Sequence, residues 1–241
     1  GHGFLASLHA HHVCQPGHQP PESHRSVKQL LKIMGILFTA AMLNACGEEA
    51  YIYPNLITEM TCLKTNSEGI GTEIITDNGQ VWHLQLGNRP DSLTVDSTYR
   101  VVSRIAPITD SDAEVYSLWK VISPLPKPER EYESTHTDPV SLQSIWRSGD
   151  YLNMVLQVLV KDQEHELSFI ETALRTNETN KKQTLMLTLY HDRKGDVEGF
   201  YQKFYLSVPL WHYKGILNKG DMIVFQLNTY KEGVIQRTFI Y

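Results

Sequence analysis

The chain has 241 residues, 22 basic and 27 acidic side chains, a formal net charge of −5 and 41% hydrophobic residues. Nucleic-acid backbones and anionic membrane surfaces are held by clustered Lys and Arg, so this acidic balance argues against both as partners. Three cysteines, Cys14, Cys46 and Cys62, are too few for a disulfide framework.

Residues 1–26 hold six of the eleven histidines and three of the eleven prolines, with no apolar periodicity. They are expected to be a non-native leader, upstream sequence read in frame, with Val27 where a GTG start codon would fall. His9, His11 and His12 lie in this unpatterned stretch, and no metal site is read there or elsewhere. Residues 27–45 carry the layout of a lipoprotein signal peptide: Lys28 and Lys32, an apolar run from Ile33 to Leu43, then Asn44-Ala45 before Cys46. The run is eleven residues, whereas a membrane-spanning helix needs about twenty. Cys46 is therefore the expected lipidation site, and the membrane is an expected partner through that anchor alone. Residues 46–55 form a tether whose Glu48-Glu49 resembles an export signal to the outer face of the outer membrane. Facing the periplasm is the alternative. Without Arg25, Lys28, Lys32 and Glu22 the mature part has 19 basic and 26 acidic residues, a net of −7. Cys62 is then the sole free thiol, in an apolar-leaning run that suits a buried small side chain.

From residue 56 to 122 short β-favouring runs alternate with turn signals. Glu73–Thr76 and Val81–Leu86 flank Asp77-Asn78-Gly79, a hairpin marker. Trp82, Leu84 and Leu86 share a face by period-two geometry. With the run Leu56–Leu63, Tyr99–Ile105 and Val115–Ile122 complete five strands in about seventy residues, which suit a small closed barrel. Residues 123–139 contain four prolines and a mixed charge run, the composition of a semi-extended linker. From 140 to 241, seven runs alternate, at Val140–Trp146, Tyr151–Val160, His165–Glu171, Leu185–Leu189, Phe200–Val208, Ile223–Leu227 and Val234–Tyr241. Seven strands in about a hundred residues suit an immunoglobulin-like sandwich. The fold class expected is all-β: a five-stranded OB-like barrel followed by a seven-stranded β-sandwich.

A family resemblance emerges from particular motifs in this order. Cys46, Asp77-Asn78-Gly79 with Trp82-His83-Leu84, Trp146 with Tyr151-Leu152-Asn153, Leu189-Tyr190-His191-Asp192 and Ser207-Val208-Pro209-Leu210 resemble the NigD-like lipoproteins of Gram-negative anaerobes. The resemblance spans residues 46–241 and implies an OB-like domain joined to a C-terminal β-sandwich. The family takes its name from a bacteriocin gene cluster, which implies immunity as a role; it implies no catalytic residues and no cofactor.

Reactive patterns are sparse. His191-Asp192 are adjacent on a strand and point to opposite faces. Asp192 with Asp196, and Asp110 with Asp112, lack the alternation of a calcium loop. Ser207 lacks the glycines of a nucleophile elbow. Aromatic residues are the better lead, since barrel faces of the OB kind bind through them. Trp82 and Trp119 fit the barrel core, whereas Trp211, His212 and Tyr213 follow Pro209 and form the candidate contact surface. The expected function is a lipid-anchored, non-enzymatic binding or protective module with a protein or glycan ligand and no nucleic acid. Bacteriocin immunity or toxin sequestration is one alternative, and a glycan-active enzyme is the other.

Overall fold

A computed structural model describes residues 54–85 and 89–241. The leader, the signal peptide, Cys46 and most of the tether lie outside the described residues, as does Leu86. No helix of the described residues is long and apolar enough to cross a membrane.

Five strands, β1 (Ile57–Thr65), β2 (Gly71–Thr76), β3 (Val81–Leu84), β4 (Thr98–Pro107) and β5 (Asp112–Lys120), close into a barrel of order β1-β2-β3-β5-β4. Strands β3 and β5 pair in parallel through His83 and Leu84, while the other barrel pairs are antiparallel. This is the expected five-stranded barrel, and the Asp77-Asn78-Gly79 turn joins β2 to β3 with Gly79 at φ +89°. Along β1 and β4 the odd residues point inward. Leu63, Val101 and Ile105 meet Ile74, Leu84 and Ala113, and the Thr61 hydroxyl donates to Ser103 Oγ at 2.9 Å. The even residues Met60 and Val102 face outward, where with Val121 they pack on Val155 and Tyr205.

Those last two residues belong to the sandwich. Its strands are β6 (Lys127–Pro128), β7 (Ser141–Ser148), β8 (Tyr151–Val160), β9 (Glu166–Thr176), β10 (Gln183–Asp192), β11 (Phe200–Pro209), β12 (Met222–Thr229) and β13 (Gly233–Ile240). One sheet runs β13-β12-β10-β9-β6 and the other β11-β8-β7. All seven runs anticipated from alternation are strands, and β10 pairs with β12 in parallel. The inner faces supply Leu152, Met154, Leu156 and Val158 from β8, opposed by Phe169, Leu185, Leu187, Ile223 and Phe225. A fully buried side chain of this size contributes about 1.5–3 kcal/mol. Nineteen buried residues form this core and six form the barrel's, so the barrel gains disproportionately from docking.

Segment 123–139 is extended, as its prolines require, but it does not stand free as a linker. Lys127 and Pro128 pair in parallel with Ile170 and Glu171. The Tyr132 hydroxyl donates to the Phe169 carbonyl at 3.0 Å and its ring stacks on Tyr190 at 4.8 Å. Composition hid this because Tyr132 alone supplies the large apolar anchor. The segment is a strap on the sandwich.

Barrel and sandwich meet along a seam with a buried charge pair. Arg100 of β4 donates from both terminal nitrogens to Asp77, at 2.6 and 2.8 Å, with the two side chains only 4% and 7% exposed. The same guanidinium donates to Asn153 Oδ1 at 3.0 Å and to Ser207 Oγ at 3.1 Å, and lies 3.7 Å over the Tyr151 ring. Asn153 is fully buried although it alternates out of the sandwich core, because the barrel covers that face of β8. Removing one partner of a buried pair strands the other, so Asp77→Ala is expected to cost about 3–5 kcal/mol. Urea unfolding followed separately in barrel and sandwich should show that loss, together with the two transitions drawing apart.

Candidate functional site

The exposed aromatic residues sit beside this seam. Strand β11 ends at Pro209, and Leu210–Tyr213 form a single 3-10 turn. Positions three apart eclipse in such a turn. Leu210 and Tyr213 accordingly point into the core, while Trp211, 45% exposed, and His212 point to solvent. Tyr213, grouped with them in the sequence as a contact residue, is 1% exposed, and its hydroxyl donates to Glu171 Oε2 at 2.8 Å. Burial and that carboxylate push the Tyr213 hydroxyl well above the ordinary phenol range. The exposed part of the candidate contact surface is therefore Trp211 and His212, whose rings meet edge to face at 6.4 Å.

Trp211 is also tied to the seam. It adjoins the Tyr151 hydroxyl, whose pKa burial and the Cys62 thiol 3.3 Å away push upward and Trp211 lowers slightly. Cys62 is half-buried against this hydroxyl and Arg100, a packing role rather than a reactive one. Trp146, 37% exposed, stands opposite Asn153 on the same outer sheet face.

Trp119, placed in the barrel core by alternation, faces outward and is 40% exposed. The cause is a bulge in β5: Ile105 pairs with Val115, but Arg104 pairs with Ser117, leaving Tyr116 as the extra residue. One inserted residue reverses the facing of everything beyond it. Leu118 turns inward, and Trp119 enters a groove of about 380 Å³ between barrel and sandwich. Lys120, Gln163, Glu164, Gln202 and Phe204 line it further. Trp82 keeps its expected place against the barrel core.

The remaining candidates resolve into structural roles. Ser207 is buried in the seam, where its hydroxyl donates to Asn153 Oδ1 at 2.6 Å. Asp112 accepts from the Thr109 hydroxyl within its own turn. His191 turns inward, its Nε2 2.9 Å from His165 Nδ1 and its Nδ1 donating to the Asp138 carbonyl. Burial lowers its pKa. Asp192 turns the other way, so the two adjacent residues do separate. Asp196 is 2% exposed and accepts from the Lys161, Asp162 and Val197 amides and from His165. Beyond these, His136, Asp138 and Asp192 bring one ligand-type atom each within 4.8 Å of one another. Sequence reasoning missed this group because 54 residues separate Asp138 from Asp192.

Residues 123–241 match the family described as the NigD-like C-terminal beta sandwich domain. Among solved structures, the chain is similar to a NigD-like immunity protein from Bacteroides caccae, with 29% identity and a TM-score of 0.63. That alignment covers 79% of this chain and 98% of the other. A putative toxin related protein from Parabacteroides distasonis shares the fold at 15% identity and a TM-score of 0.62, over 78% of this chain and 93% of its own. A putative lipoprotein from Bacteroides fragilis shares it at 10% identity and a TM-score of 0.53, over 78% and 97%. No functionally curated protein matches.

Two outcomes follow. Tyr213→Ala should cost about 3–5 kcal/mol in chemical denaturation, as for other large buried aromatics, whereas Trp211→Ala should cost about 1 kcal/mol or less. Burial pushes the Asp196 carboxyl up, but the amides of Lys161, Asp162 and Gln163 and the His165 ring outweigh it and hold it below the ordinary range. A carboxyl depressed on folding stabilises the protein above its unfolded pKa, and that stability is lost as pH falls through the folded value. Denaturation across a pH series should therefore show stability falling below about pH 4, and Asp196→Asn should lower the neutral plateau and flatten that acid limb.

Proposed function

We propose that this NigD-like protein is a non-enzymatic protective module of the cell envelope, held at the membrane by a lipid on Cys46 and acting in immunity. The observation that carries the reading is the similarity to the Bacteroides caccae immunity protein, which extends over 98% of that chain at 29% identity. It spans barrel and sandwich together, so the shared unit is the docked pair and not one domain. Two further features support capture over turnover. The exposed Trp146 stands on the face of the β11-β8-β7 sheet that carries the seam, and the exposed Trp211 lies in the turn that follows β11, so both sit on a rigid base. An anchor confines the module to a surface, which raises its effective concentration near envelope partners. Its ligand in this reading is a protein toxin.

The test is deletion of the gene in its host, followed by challenge with antibacterial culture supernatants from related strains. Sensitisation that is reversed by the wild-type gene, but not by Cys46→Ala or Trp211→Ala, is the expected result. Unchanged sensitivity across all toxin-producing strains would overturn immunity. Protease shaving of intact cells, with a lysed control, then distinguishes the two orientations. Digestion before lysis is expected for a surface-facing module.

A further inference from the structure

We propose that His136, Asp138 and Asp192 form a binding site for a transition-metal dication of the zinc class, where the strap crosses the end of β10. The strap meets β10 through a parallel bridge between Thr137 and His191. It is closed by the His191 amide donating to the His136 carbonyl at 2.9 Å and the Asp138 amide donating to the His191 carbonyl at 3.0 Å. Side chains alternate along paired extended chains. His136 and Asp138 therefore share one face, His191 points to the other, and Asp192 returns to the face of His136 and Asp138. Three ligand atoms from two segments converge within 4.8 Å, on side chains that are each half-buried.

Each side chain is also held by a second bond through one of its two donor atoms. Asp138 Oδ2 accepts the Arg193 amide at 2.9 Å, and Asp192 Oδ1 accepts the Lys194 amide at 2.7 Å. His136 Nε2 lies 2.7 Å from Ser134 Oγ, and its ring stands edge-on to Tyr190 at 6.0 Å. Outer bonds of this kind orient the ligands of metal sites. The donor set selects the ion class. Calcium and magnesium take oxygen alone, whereas one imidazole with two carboxylates suits zinc, cobalt or manganese. Three protein ligands leave the remaining position to water. Arg193 Nε stands 3.8 Å from Asp138 Oδ1 on a half-exposed side chain, and it is the cation that the metal displaces. An occupied site fastens the strap, and with it the connection between barrel and sandwich, to β10.

The experiment titrates Zn²⁺ and, separately, Co²⁺ into the full chain with the six histidines of residues 1–26 changed to alanine, so that the leader contributes no ligands. Calorimetry reads the stoichiometry, and visible absorption reads the Co²⁺ environment. One ion per chain is expected, with Asp192→Asn and His136→Ala each weakening binding about tenfold or more. Arg193→Gln should tighten it by removing the competing cation, a gain that misfolding cannot produce. Binding unchanged in both ligand variants, or no binding at millimolar ion, overturns the site.

Discussion

The Arg100–Asp77 pair sets the terms for the rest of the structure. A guanidinium and a carboxylate withdrawn from water cost several kcal/mol each unless their hydrogen bonds are met, and here both domains must be in place to meet them. Asp77 comes from the β2–β3 turn and Arg100 from β4, but Asn153 and Ser207 come from the sandwich. The backbone enforces the same closure. Gly149, in the β7–β8 turn at φ +53°, lies so close that a Cβ there would stand 2.4 Å from the Asp77 carbonyl oxygen. Residues 54–241 accordingly form one compact unit. A barrel with six buried core residues is completed from outside, through Met60, Val102 and Val121 on Val155 and Tyr205.

The seam also decides which surface the molecule offers. Covering one face of the β11-β8-β7 sheet buries Asn153 and Ser207, and it leaves Trp146 and Trp211 partly exposed. On the barrel side the β5 bulge brings Trp119 out beside the sandwich instead of into the barrel. The strap closes the other flank, where Tyr132 covers Tyr190 and residues 136–138 run along the end of β10. Aromatic exposure is thus a by-product of how two β domains share one boundary. That leaves exposed aromatic side chains on a rigid base.

Much of the architecture is legible in the order of the amino acids. Alternation locates five barrel strands and seven sandwich strands, because a half-buried strand must repeat every two residues. Asp77-Asn78-Gly79 marks its hairpin, because a tight turn of this kind needs positive φ, which Gly79 supplies. The motif order points to the NigD-like proteins, and the family match over residues 123–241 agrees. The candidate surface is legible only in part. Pro209 correctly ends a strand, but a 3-10 turn carries Tyr213 inward, and nothing local to Trp211-His212-Tyr213 distinguishes that from an exposed loop.

What the amino-acid sequence determined by itself was every strand but the short β6, most of the strand facing and hairpin position, since these depend on contacts between residues near in the chain. Tertiary structure decided the rest. Trp119 faces outward because a bulge is defined by the partner strand, and a strand read alone has no partner. Residues 123–139 form a strap because a prolyl segment with one aromatic anchor looks like a linker until Tyr190 lies beneath it. Arg100 and Asp77, 23 residues apart, look like two surface charges, and only the docking of a second domain takes both from water and makes them the pin of the molecule.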